Sequence, residues 1–218
     1  MTTEEIGILM CSVAFFVMGF FQIFSGHFNK VLCRKILKVF PLIFLIVGII
    51  IFKPDEPLIY CAFIFGVIGD AFLISDNKKL FFAGLVSFLF QHILIAIFLF
   101  TKWPIMPYYY FIILEIVALL FGFIASFVMK KYLNHIFFIS STCYISMLLF
   151  NLVNGVILTI FTSNLLFLLI AFGYLIFTIS DFFVSIKRFV GTYKHQELII
   201  MSTYYLAQYL LFLGFMLL

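Results

Sequence analysis

The chain has 218 residues, 66% of them hydrophobic, with 34 Phe, a mean hydropathy of +1.29 and a net charge of +4 from 13 Lys and Arg against 9 Asp and Glu. No water-soluble domain of this size can hide so much apolar surface, so the solvent for most of it must be lipid. The positive charge is spread over short loops, which suits anionic lipid headgroups and excludes a dense nucleic-acid-binding face.

Apolar runs long enough to span a bilayer lie at about 6–24, 36–52, 57–75, 80–100, 106–129, 136–160, 164–186 and 197–217. They predict an all-α, polytopic membrane protein: a bundle of eight transmembrane helices joined by short connections. Glu4 and Glu5 precede the first run in place of a basic segment, so it reads as a retained span and not as a cleaved signal. The loops after helices one, three, five and seven carry Lys30, Arg34, Lys35, Lys38, Lys78, Lys79, Lys130, Lys131, Lys187, Arg188 and Lys194, and only Lys53 and Lys102 fall on the other side. This 11 to 2 split makes the odd-numbered loops cytoplasmic and puts both termini outside the cell membrane. The longest polar breaks, 25–35, 53–57 and 191–197, are turns, so residues 1–218 read as one transmembrane domain.

Chemistry is sought where polar groups interrupt the hydrocarbon. Asp70, Glu115 and Asp181 are the acids inside apolar runs, and a carboxylate there costs at least a few kcal/mol, so it faces a polar interior with a task to perform. Glu115 has no patterned partner and reads as structural or snorkelling. Asp70 and Asp181 sit in matching frames, Val67-Ile68-Gly69-Asp70-Ala71-Phe72 and Thr178-Ile179-Ser180-Asp181-Phe182-Phe183. Helices three and seven run in the same direction under this topology, which hints at two parallel four-helix halves. Asp70 precedes Lys78 by eight residues and Asp181 precedes Lys187 by six, placing the carboxylates roughly 12 and 9 Å above the basic anchors. Two buried carboxylates at one depth can share a site, and no Lys or Arg is expected at that depth to compensate them.

Other polar residues gather at compatible heights. Tyr204 and Gln208 share a face of helix eight, with Tyr205 beside it; His92 on helix four, next to Gln91, lies nearer the midplane; Tyr144 on helix six adds a hydroxyl. Gly66 and Gly69 permit a close approach to Asp70. Each also has an ordinary role as a strut between helices. Cys11, Cys33, Cys61 and Cys143 are scattered, and His27, His135 and His195 fall in loops, leaving His92 alone in the bundle. No metal, cofactor or disulfide framework is expected from such a set, and a metal-dependent membrane hydrolase is disfavoured.

The blocks Gly66-Val67-Ile68-Gly69-Asp70, Phe82-Ala83-Gly84-Leu85 with Phe88 and His92, Ser180-Asp181 leading to Arg188-Phe189, and Tyr204-Tyr205-Leu206-Ala207-Gln208 resemble the signature blocks of the YhhN-type lysoplasmalogenase family of integral membrane proteins. Order, spacing and the eight-helix plan agree over nearly the whole chain. The family often has a Tyr three residues after the histidine, where this chain has Ile95, and its Lys-Pro signature at the second helix is matched only by Lys35 or Lys38 with a displaced Pro41. The resemblance implies hydrolysis of the vinyl ether bond of a lysophospholipid substrate, releasing a fatty aldehyde and a glycerophospho-base. Asp70 and Asp181 would divide acid and base tasks, because close like charges push two carboxyl groups apart in acidity. His92, Tyr144, Tyr204, Tyr205 and Gln208 would orient water, carboxylates or glycerol oxygens, and Lys78, Lys79, Lys187 or Arg188 would meet the phosphate. The alternative is a small proton-coupled transporter or lipid-binding protein using the same aspartates. Against it, 218 residues leave little room for two gated vestibules.

Overall fold

The computed structural model describes residues 3–27, 35, 37–75, 77–104 and 109–218. Among them the regular structure is wholly helical: α1 (Thr3–His27), α2 (Phe40–Phe52), α3 (Pro57–Phe72), α4 (Lys78–Thr101), α5 (Tyr109–Val128), α6 (His135–Thr162), α7 (Leu166–Ser185) and α8 (Gln196–Leu217). A short 3₁₀ turn, Lys130–Tyr132, precedes α6, and a π turn, Ile186–Val190, follows α7. Lys30, Cys33 and Arg34, read from the sequence as part of the first loop, lie outside the described residues.

The helix ends follow from local chemistry. Pro41 and Pro57 stand in the first turns of α2 and α3, where a missing N–H costs nothing. Asn77 Oδ1 accepts from Lys79 N at 2.8 Å to open α4, Asn134 Oδ1 accepts from Phe137 N at 2.9 Å to open α6, and Asn164 Oδ1 accepts from Leu166 N at 3.0 Å to open α7. Ser163 closes α6 in the left-handed region, with φ 53°.

Five helical segments are long and apolar enough to cross a bilayer: Glu5–Ser25, Lys78–Thr101, His135–Thr162, Leu166–Val190 and Gln196–Leu217. The expectation of eight full spans is met only in part, because the apolar stretches Phe40–Phe52, Pro57–Phe72 and Ile112–Val128 are shorter. Pro41 and the polar turn of Lys53, Asp55 and Glu56 bound α2, and that turn with Pro57 and the closing turn of Leu73–Ser75 bound α3, leaving 13 and 16 residues, about 20 and 24 Å against a hydrocarbon core near 30 Å. Phe16, Phe20, Phe21 and Phe24 on α1 and Ile116, Leu120, Phe121 and Phe127 on α5 are exposed. A surface of this kind requires lipid around it.

The chain forms two compact units, residues 1–94 and 95–218. In the first, α1 packs on α2, α2 on α3, and α3 on the beginning of α4. Two glycines allow the α3–α4 approach: a Cβ on Gly66 would come within 2.6 Å of Gln91 Oε1, and one on Gly69 within 2.7 Å of the Phe88 ring. In the second, α5, α6, α7 and α8 pack in chain order, and the rings of Phe98, from the end of α4, and Phe215 meet edge to face.

Candidate active site

In residues 1–94 the polar interior is built by α1 to α4. Asp70, two residues before the end of α3, is 1% exposed, and its Oδ1 lies 3.3 Å from Nζ of Lys38 in the turn before α2. Lys38 supplies the compensation that the sequence had not led us to expect at this depth. Its stem lies against the bundle, so the ammonium reaches into the helix layer although its backbone belongs to the loop. Gln91 and His92 are both buried on α4, and Ser87 Oγ donates to Phe65 O at 2.7 Å. The pairings of Gly66 with Gln91 and Gly69 with Phe88 set the α3–α4 register. They put His92 about five residues, some 7 Å, deeper than Asp70.

In residues 95–218 Asp181 lies on α7 one turn before the π turn, and Tyr144 of α6 donates its hydroxyl to Asp181 Oδ2. Asp181 is only half-buried, a correction to the reading of two buried aspartates. Its place near the end of α7, where the helix loosens, accounts for this. Two turns away, Asn151 Nδ2 donates to the Tyr174 hydroxyl at 3.1 Å, and Trp103 Nε1 donates to Asn154 Oδ1 at 3.0 Å. Tyr144 and Asn151 are seven residues apart on α6, as are Tyr174 and Asp181 on α7, so the two bonds form parallel rungs between antiparallel helices. The sequence reading missed this ladder. Its signal was the i, i+7 spacing of polar residues on both helices.

On α8, Gln208 Nε2 donates to the Tyr204 hydroxyl at 3.2 Å, and Tyr204 and Tyr205 are both buried. The Tyr204 ring meets Phe177 of α7, while Ser180, beside Asp181, donates to Ile200 O at 3.1 Å. The structure therefore joins Tyr144 to Asp181 and Tyr204 to Gln208, and it sets the latter pair against the same helix that carries Asp181. Lys187, expected at a phosphate, pairs with Glu197 at the start of α8. In that turn Tyr193 donates to Phe183 O at 3.3 Å, and burial, then the Glu197 carboxylate, push its phenol above the ordinary value. Lys78 and Lys79 are exposed at the start of α4, and Arg188 lies in the π turn.

The YhhN family model matches residues 33–215, from the segment before α2 to the last turns of α8. The chain belongs to the YhhN family. The match takes in both aspartates, Lys38, His92 and the α8 tyrosines, and it leaves α1 of this YhhN family member outside. No curated protein and no solved structure matches the chain.

Proposed function

We propose that this YhhN family member is a membrane hydrolase that cleaves the vinyl ether bond of lysoplasmalogens. The products are a fatty aldehyde and a glycerophosphocholine or glycerophosphoethanolamine. The observation that carries the reading is that each aspartate within the helices has a polar partner in its own unit, Asp70 with Lys38 and Asp181 with Tyr144. Family membership fits a membrane enzyme.

The chemistry demands one proton donor and one anion. A proton goes to the vinyl carbon β to the ether oxygen, and the carbon bonded to that oxygen becomes part of an oxocarbenium ion. Water adds there and loses a proton, and the hemiacetal collapses to the aldehyde and the glycerol hydroxyl. The proton given up at the start is recovered from the water. Asp70, beside the Lys38 ammonium, suits the anionic task of facing the cation and activating water. Asp181 then delivers the proton, with Tyr144 fixing its carboxyl rotamer. His92, Tyr204, Tyr205 and Gln208 orient water and glycerol oxygens, and Lys78, Lys79 and Arg188 receive the phosphate, joined by Lys187 when it leaves Glu197. This division of labour between two carboxyl groups parallels that of glycosidases.

The deciding experiment is incubation of the purified protein with choline and ethanolamine lysoplasmalogens beside ordinary acyl lysophospholipids, with free aldehyde and free fatty acid both measured. Aldehyde without fatty acid is expected. Fatty acid release would make the protein an esterase, and neither product together with specific lipid uptake into vesicles would make it a transporter.

A further inference from the structure

Gln22 on α1 is 2% exposed, and its Oε1 has no hydrogen-bond partner among the described residues. It closes a buried stripe of Ser12, Phe15, Gly19 and Gln22, the spacing of one helix face, so its side chain belongs to the face of α1 turned into the bundle. An amide oxygen buried in apolar surroundings without a donor costs on the order of 1–3 kcal/mol, and such groups in native structures have a reason. Its position supplies one. Phe52 of α2 lies against Gly7 of α1, and the two helices run antiparallel. Gln22 is fifteen residues past Gly7, about 22 Å of helix, and Phe40, where α2 begins, is twelve before Phe52, about 18 Å, with Lys38 two residues further back in the turn, so Gln22 and Lys38 stand near one level. Lys38 holds Asp70. The unsatisfied acceptor therefore stands at the height of the proposed anionic carboxylate.

We infer that Gln22 is a specificity-determining residue: its amide oxygen accepts the free 2-hydroxyl of the lysolipid glycerol, and so selects single-chain over two-chain lipids. The inference rests on the reading of Asp70 as a site for lysoplasmalogen. In that substrate the 2-hydroxyl is on the carbon next to the one bearing the ether oxygen, so a lipid placed for reaction at Asp70 brings this donor to the same level. A two-chain lipid carries an ester oxygen there and offers no hydrogen. An acceptor built to meet a donor discriminates against a ligand that lacks it, because the buried atom is then left unpaired. A bound water would satisfy Gln22 equally well in the absence of lipid, and the test separates the two donors. α1 lies outside the family match, so the contact is argued from the residues of this chain alone.

The test compares wild type with Gln22→Leu in lipid nanodiscs, measuring binding of 1-acyl lysophosphatidylcholine and of its 2-O-methyl analogue, neither of which has a vinyl ether to cleave. Wild type is expected to bind the free hydroxyl about tenfold more tightly than the methyl ether, and Gln22→Leu to bind the two with nearly equal affinity. The thermal midpoint of Gln22→Leu is expected to equal or exceed that of wild type, since a buried polar group has been removed. A preference unchanged by Gln22→Leu overturns the inference, and so does failure of wild type to bind either lipid. A lowered midpoint with the preference intact would make Gln22 a structural strut, or the holder of a water, and overturns it as well. Aldehyde release from lysoplasmalogen by the same preparations is scored separately: its absence from wild type refutes vinyl ether hydrolysis, while the binding ratio still decides the role of Gln22.

Discussion

At the scale of single residues, the two aspartates have different surroundings, and the expected consequences of changing them differ accordingly. Asp70→Asn and Asp181→Asn keep size and hydrogen bonding but remove proton transfer, so each should lower the rate of aldehyde release by about 10² or more, read by steady-state turnover in detergent. Near-normal turnover in either folded variant would make that aspartate structural. Lys38→Met deprives a carboxylate that is 1% exposed of its ammonium partner and should lower stability by about 2 kcal/mol, discounted for a Lys side chain that is itself 16% exposed. Adding Asp70→Asn to Lys38→Met should restore most of the lost thermal midpoint, because no buried charge is then left uncompensated. If Lys38→Met leaves the midpoint unchanged, the ion pair is not what holds Asp70. The sequence made Asp70 and Asp181 visible because a charge in a hydrocarbon run stands out. It could not show Lys38 as the partner, since a loop lysine that reaches back into the bundle looks the same as one that only marks topology. Gln22 was hidden for a related reason: a lone amide in an apolar helix carries no pattern until its neighbours are known.

Among the helices, the apolar runs fixed the elements to within a few residues wherever lipid exposure and length act together, as in α4, α6, α7 and α8. They overstated α2, which begins only at Phe40 beside Pro41, and α3, which ends at Phe72 where the backbone tightens into the turn of Leu73–Ser75. The rungs between α6 and α7 depend on close packing at Gly155, where a Cβ would stand 3.0 Å from Ala171 N, Phe167 O and the Ala171 Cβ. These atoms are backbone or fixed to it, so Gly155→Ala should force the two helices apart and lower the thermal midpoint. The same displacement should stretch the Asn151–Tyr174 and Tyr144–Asp181 bonds further along the pair, and turnover should fall with stability. Gly66→Ala, whose nearest contact is the far end of the Gln91 side chain, should be milder because a side chain can swing away. Equal effects of the two substitutions on thermal melting would show that backbone contact is not the limiting feature.

For the whole molecule, orientation decides which leaflet supplies substrate. The 11 to 2 division of Lys and Arg predicts that both termini face outward, and that the ends of α3 and α7 bearing Asp70 and Asp181 face the cytoplasm. In a chain with Cys11, Cys33, Cys61 and Cys143 replaced, an impermeant thiol reagent applied to intact cells should label cysteines placed at Thr2 and Leu218 but not one at Lys131. Labelling of Lys131 with the termini protected would invert the chain and turn the aspartates toward the outer leaflet. The two carboxyl groups belong to different compact units of the chain, so the proposed sharing of one reaction between them is tested on the whole chain. If one delivers the proton and the other steadies the resulting cation, removing either abolishes the same transition state, and removing the second has little left to abolish. The Asp70→Asn, Asp181→Asn double variant should therefore turn over only slightly more slowly than the poorer single variant, within about threefold, whereas independent groups would multiply their losses to about 10⁴. Multiplicative loss in the double variant would separate the two aspartates into different tasks and leave the shared mechanism without support.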